Sequence, residues 1–218
     1  MTPNFAQAVD PVFLHVLRLL ERLDAGENPD PAEAKRGIDV TLQQAAMALG
    51  HSAQAKEWEI AKYGLVVWID DLLINSQWEH YQEWADNYCL EAELYGIRLA
   101  DEKFYSEAET AKKLTSSDAL EVFYICVVLG FRGMYRDAFG AERTAAALGM
   151  PATLEAWTQE TGKSIRAGRG MPSVVGNARP GEGVPALRGY GSLCWTLLAS
   201  AITTLVGTLL IITLWPKD

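Results

Sequence analysis

Apolar residues recur along the first 160 positions at intervals of three and four, the repeat of a helix with one buried face. No alternating strand pattern of useful length appears. Asp10 and Pro11 supply a cap and a first-turn proline, and Phe13, Val16, Leu17, Leu20 and Leu23 then hold helical spacing as far as Gly26. A second start lies at Asp30-Pro31-Ala32-Glu33, with Ile38, Leu42, Ala45 and Leu49 as its apolar face. Ser52 precedes a long helix through Trp58, Ala61, Leu65, Trp68, Ile69 and Leu72. An aromatic-rich piece at 78–95 and a shorter helix at 102–113 follow. Asp118 with Glu121 caps a run that is apolar from 119 to 130 apart from Glu121, too short to span a bilayer and suited to a buried central helix. Two short helices fit 137–148 and 151–161. The pattern predicts an all-α domain of seven or eight helices.

The pattern changes after residue 162. Residues 163–188 are basic and rich in Gly and Pro, and read as a flexible juxtamembrane linker. From Tyr190 to Trp215 no residue is charged, and the 20 steps from Trp195 to Trp215 would cover about 30 Å as a helix, the thickness of a bilayer's hydrocarbon core. Eleven Leu, Ile or Val residues between Leu193 and Trp215 favour insertion by about 3 to 7 kcal/mol before polar terms. Residues 189–215 are therefore expected to be a transmembrane anchor, with Tyr190, Trp195 and Trp215 at its interfaces and 216–218 a short periplasmic tail. Lys163, Arg166, Arg169, Arg179 and Arg188 against Glu182 give the flank a charge of +4, which places domain 1–162 in the cytoplasm. Ala199, Thr203 and Gly207, or alternatively Ser200, Thr204 and Thr208, repeat every four positions on one face of the anchor, a spacing that lets helices associate in lipid.

Charge narrows the partners. Residues 1–162 carry 13 basic and 26 acidic side chains, a net of −13 that repels nucleic acid and anionic headgroups. Only the linker suits anionic membrane lipid. Cys89, Cys126 and Cys194 show no paired spacing, in keeping with a reducing compartment.

Catalytic patterns fail on geometry. Thr161-Gly162-Lys163-Ser164 ends like a phosphate-binding loop, but Trp157 stands where that loop requires glycine. His80 with Glu83 makes one i, i+3 pair where a di-iron bundle needs two such motifs and two further Glu. No nucleophile elbow is present. No catalytic residue, metal or cofactor is expected. Asp70 and Asp71 point about 100° apart on a helix, so one can be used inside the fold while the other is left as an acidic contact. Gly130 and Gly133 permit close backbone approach, and Arg132 and Arg136 follow where a helix C-terminus favours positive charge. That segment is either a satisfied helix end or a surface for a partner.

Three segments together resemble one family. The stretch 61–71 with its acidic end, followed by Asn75-Ser76-Gln77-Trp78, is the first. The second is Glu93-Leu94-Tyr95-Gly96 with Glu102-Lys103-Phe104-Tyr105, and the third is 120–136 with Leu129-Gly130-Phe131-Arg132-Gly133-Met134-Tyr135-Arg136. With the C-terminal apolar stretch, these resemble the TssL family of type VI secretion systems, related to DotU/IcmH of type IVB systems. Asp71 replaces a frequent Glu, and Ala100-Asp101 replaces a Gly-Gly, which puts a glycine-only backbone there in question. Some members of that family extend past the membrane with a peptidoglycan-binding domain; none is expected here, and cell-wall attachment is expected from another subunit. The resemblance implies a hook of two small packed bundles beneath the inner membrane. It implies a non-enzymatic subunit of the trans-envelope complex that binds a TssM-like membrane protein and a TssK-like baseplate protein, with self-association. Asp70, Asp71, Arg132, Tyr135 and Arg136 are then the expected partner contacts. The alternative is a tail-anchored helical adaptor or small-molecule-binding domain of another pathway.

Overall fold

Phe5 and Val9 extend the apolar stripe of Val12, Phe13, Val16 and Leu19 back by two turns, and that stripe sets the start of α1 (Pro3–Asp24). Pro11, expected to open the helix, lies inside it with its side exposed, while Pro3 occupies the first turn. The structure is a computed structural model and describes residues 1–168, the side chains of 138–140 excepted. The linker beyond 168, the anchor at 189–215 with Tyr190, Trp195, Trp215, Ala199, Thr203 and Gly207, and the tail at 216–218 lie outside the described residues.

The remaining helices are α2 (Pro31–Leu49), α3 (Ala55–Ile74), α4 (Tyr81–Glu83), α5 (Leu90–Tyr95), α6 (Ala100–Lys112), α7 (Asp118–Val128), α8 (Ala138–Leu148) and α9 (Leu154–Gly168). A π turn (Trp84–Tyr88) continues α4, and a 3-10 turn (Gly133–Tyr135) precedes α8. The described residues contain no strand, and seven of the helices have eleven residues or more. The Asp30 cap is as expected: its carboxylate accepts from the Glu33 backbone N–H at 3.0 Å, with Pro31 in the first turn.

α3 is the hub. Residues 63–70 are buried on every side of the helix, because α7 and α6 pack on one flank while α5 and α2 cover others. α7 is buried as expected, yet it shares the centre with α3. Gly64 brings the two together, since a Cβ there would stand 2.9 Å from the Phe123 ring. Phe104 extends the contact, edge-on to Phe123 at 4.9 Å and stacked on Phe131 at 3.9 Å. α1 and α2 form the outer pair, and Phe13 meets Trp68 of α3 at 5.0 Å. The two expected bundles share one core: buried side chains from α1 to α9 form a single connected cluster among the described residues. α3 packs against the α1–α2 pair on one side and against α6 and α7 on another, which joins these groups into one core.

Two local expectations are corrected. Asp118 does not cap its own helix. Its carboxylate accepts from the Thr2 backbone N–H at 2.6 Å, the Thr2 hydroxyl at 2.7 Å and the Gln54 amide at 2.9 Å. The Met1 ammonium pairs with Glu121 alongside. These contacts gather the N-terminal ends of α1, α3 and α7 at one end of the domain. α9 also continues beyond 162, because Trp157, Thr161 and Ile165 keep one buried stripe, so residues 163–168 are helix rather than linker. Gly168 ends beside Ser117, at that same end.

Replacing Gly64 by Leu should destabilise the domain by about 2 kcal/mol or more, through overpacking against Phe123. Urea unfolding followed by circular dichroism measures this, and an unchanged midpoint would refute the close α3–α7 contact.

Candidate docking surface

The acidic pair at the end of α3 divides as the 100° between neighbouring residues requires. Asp70 turns inward and is 4 % exposed. Its Oδ1 accepts from the Trp84 indole at 2.9 Å and the Leu90 N–H at 3.0 Å, and its Oδ2 from the Glu91 N–H at 2.8 Å and Cys89 Sγ at 3.4 Å. Leu90 and Glu91 open α5, so Asp70 satisfies two N–H groups that the helix itself leaves unpaired. Burial raises its pKa above the ordinary carboxylate value, and the bonds to Glu91, Leu90, Trp84 and Cys89 oppose that rise. Every one of these neighbours donates, so the ionised carboxylate is the form that satisfies them. The expectation of Asp70 as a partner contact is corrected: it is an internal cap.

Asp71 faces the domain edge, its side chain 13 % exposed. Arg136 Nη2 reaches its two oxygens at 2.5 and 2.7 Å, and Asn75 donates to Oδ1 at 3.0 Å. Burial raises the Asp71 pKa, and the Arg136 charge opposes it. The pair ties α3 to the end of the 3-10 turn, and Arg136 keeps 45 % of its side chain exposed. Such a pair contributes about 1 kcal/mol or less.

Arg132 and Tyr135 serve the fold as well. Arg132 Nη1 donates to the Val127 and Phe131 carbonyls, both at 3.1 Å, closing the C-terminus of α7. Tyr135 donates its hydroxyl to the Pro151 carbonyl at 2.6 Å and packs edge-on against Tyr105 at 4.9 Å. Burial pushes its pKa up to about 12. Gly133 has φ +48°, and a Cβ there would stand 3.1 Å from the Asp101 carbonyl, the close backbone approach the two glycines allow. Ala100 and Asp101 open α6 as ordinary helical residues, so no glycine is needed where the Gly-Gly is replaced.

These elements enclose an acidic cleft of about 420 Å³ between the end of α3 and residues 98–102. Asp70 and Glu91 lie in its floor, with Glu91 bound by the Tyr63 hydroxyl at 2.6 Å and the Leu99 N–H at 3.2 Å. At the rim Arg98, Leu99, Asp101 and Glu102 are exposed. A second hollow of about 370 Å³ shares Asp101 and Glu102 and adds Met134 and Arg136. The sequence gives no sign that Asp101 and Glu102 are contacts, because acidic residues in a first helical turn are common on dipole grounds alone. Among the described residues no group of three His, Cys, Asp or Glu is placed to hold a metal ion. His80 and Glu83 meet at 3.0 Å on the surface.

Asp70→Asn should cost about 2 to 4 kcal/mol, since an amide sets its own N–H groups against buried donors. Asp71→Asn should cost about 1 kcal/mol or less. Chemical denaturation of both variants checks the contrast, and equal losses would contradict the division of labour.

Comparison with known proteins bears on the whole chain. The family model described as type VI secretion system protein DotU matches residues 4–215. No match emerges among curated proteins. The fold is similar to that of the cytoplasmic domain of TssL from Acinetobacter baumannii, with a TM-score of 0.56 and 24 % identity over 75 % of this chain and 98 % of that one. Among the described residues no helix is long and apolar enough to cross a membrane, and the apolar stretch at 189–215 lies outside them. With a family match that runs from the first turn of α1 into the apolar stretch, the chain belongs to the DotU family of type VI secretion system proteins.

Proposed function

We propose that the protein is a non-enzymatic docking subunit of the type VI secretion membrane complex. Residues 189–215 hold it in the inner membrane, and the acidic cleft receives a basic segment of a partner. The observation that carries this reading is the pairing of exposed Asp101 and Glu102 between two adjoining hollows, beside the Asp71–Arg136 pair. The carboxylates in the floor, Asp70 and Glu91, are occupied by hydrogen bonds within the fold, which supports a structural rather than a catalytic use.

Position supports the same reading. The N-terminal end of α3 stands with Thr2, Asp118 and the neighbouring Gly168, while Asp71 lies 16 residues along the helix, about 24 Å away. The cleft is thus clear of the helix N-termini gathered beside Gly168, which leaves its rim open to a partner. A TssK-like baseplate protein and a TssM-like membrane protein are the proposed partners. Ala199, Thr203 and Gly207 are the proposed face for helix association in the membrane. A cleft of about 420 Å³ also has the size of a small-molecule site. That second reading would be recognised by a ligand-dependent rise in melting temperature.

Asp101→Lys with Glu102→Lys should weaken binding of purified TssK-like or TssM-like protein at least tenfold while the melting temperature changes by only a few degrees, since both side chains are exposed. Isothermal titration or surface plasmon resonance reads the affinity, and undiminished binding to both partners would rule out the cleft. Thr203→Leu with Gly207→Leu should reduce association of the anchor in a membrane two-hybrid assay, and unchanged association would exclude that face.

A further inference from the structure

The groove between α1 and α2 carries charge opposite to that of the rest of the domain. His15, Arg18, Arg22, Arg36 and Val40 stand around a hollow of about 620 Å³, with Glu33 also in its lining. Arg22 is paired with Glu27 at 2.7 Å, whereas Arg18 and Arg36 form no ion pair among the described residues. His15 is held below its ordinary value by burial and then by Arg18 and Arg22, so at pH 7 it is neutral and the positive charge is that of the guanidinium groups. Gly37 sets the floor, since a Cβ there would reach within 2.6 Å of the His15 ring.

Val40 adds an apolar side chain to the lining, and other exposed apolar residues lie further along the same two helices. Val40 is 51 % exposed and Met47 72 %, and seven residues apart on α2 they share one helix face. Leu14 on α1 is 49 % exposed. Arginine with aliphatic neighbours suits a planar carboxylate that arrives with apolar side chains beside it. Arg18 lies 16 residues along α1 from Thr2, about 24 Å from the end where Gly168 stops.

We propose that this groove docks an acidic, amphipathic segment of a partner protein, its carboxylates on Arg18 and Arg36 and its apolar side chains on Val40 and Met47. The net charge of −13 over residues 1–162 disfavours an acidic partner on the domain at large, so a groove lined by Arg18 and Arg36 is where such a segment is favoured. The same net charge opposes nucleic acid. An anionic bilayer would be attracted by about 1 kcal/mol per arginine, and the cross-linking below separates it from a protein segment. The inference shares with the docking reading only the premise that this end of the domain is accessible, and it does not depend on the acidic cleft.

The test places a photo-reactive benzophenone side chain at Val40 of the full chain in membranes of its own host. The cross-linked peptide is then sequenced. The expected product is an acidic segment of another protein, and Arg18→Glu with Arg36→Glu should reduce it at least tenfold without unfolding the domain. Arg143→Glu, an exposed change on α8, should leave it intact. Cross-linking to lipid, to a second copy of this chain or to a basic segment, no cross-link, or a product indifferent to the arginine variants would each overturn the proposal. Asp101→Lys with Glu102→Lys should not alter the product, so a failure of the groove is distinguishable from a failure of the cleft.

Discussion

One buried carboxylate organises the end of the domain where the proposed docking surfaces stand. Asp70 is fixed on the central helix, and the groups it holds come from a different segment, the π turn and the start of α5. Taking a carboxylate out of water is costly unless its oxygens are satisfied, and four donors make that possible. The consequence is directional. With Asp70 committed inward, its neighbour Asp71 must face the domain edge, where Arg136 meets it. The cleft is built on that asymmetry.

The aromatic core holds this edge of the domain firm. Phe104, Tyr105, Phe123, Phe131 and Trp157 contact one another across α6, α7 and α9. The hydroxyl of Tyr105 donates to the Arg132 carbonyl at 2.7 Å, so the segment that carries Arg132, Tyr135 and Arg136 is pinned from below. Docking onto a surface already held in place loses less conformational entropy than docking onto one that must be ordered. On the proposed reading, the exposed Asp101 and Glu102 are left to select a partner.

The legible parts of the sequence were those governed by local rules. The Asp30 cap, the stripe of Ile38, Leu42, Ala45 and Leu49, and the buried run of α7 follow from spacing alone. Other features depend on residues distant in sequence. Asp118 has the look of a cap, but its partner Thr2 lies 116 positions away. Which member of the acidic pair turns inward is decided by donors at 84–91, and no periodicity contains that. Pro11 misleads because a proline tolerated on an exposed face resembles one that begins a helix. The extension of α9 was readable in Ile165, four residues after Thr161, yet Gly162 reads as a stop. The basic groove is assembled from two facing helices and emerges only when α1 and α2 are packed together.

The central claim is that this DotU-family chain works by holding other proteins together. Affinity purification of the tagged full-length chain from detergent-solubilised membranes of its own host, followed by mass spectrometry, tests it most directly. The account predicts co-purification of a large TssM-like membrane protein and a TssK-like baseplate protein in stable proportion to the chain. Recovery of the chain from the membrane fraction with neither of them would contradict it.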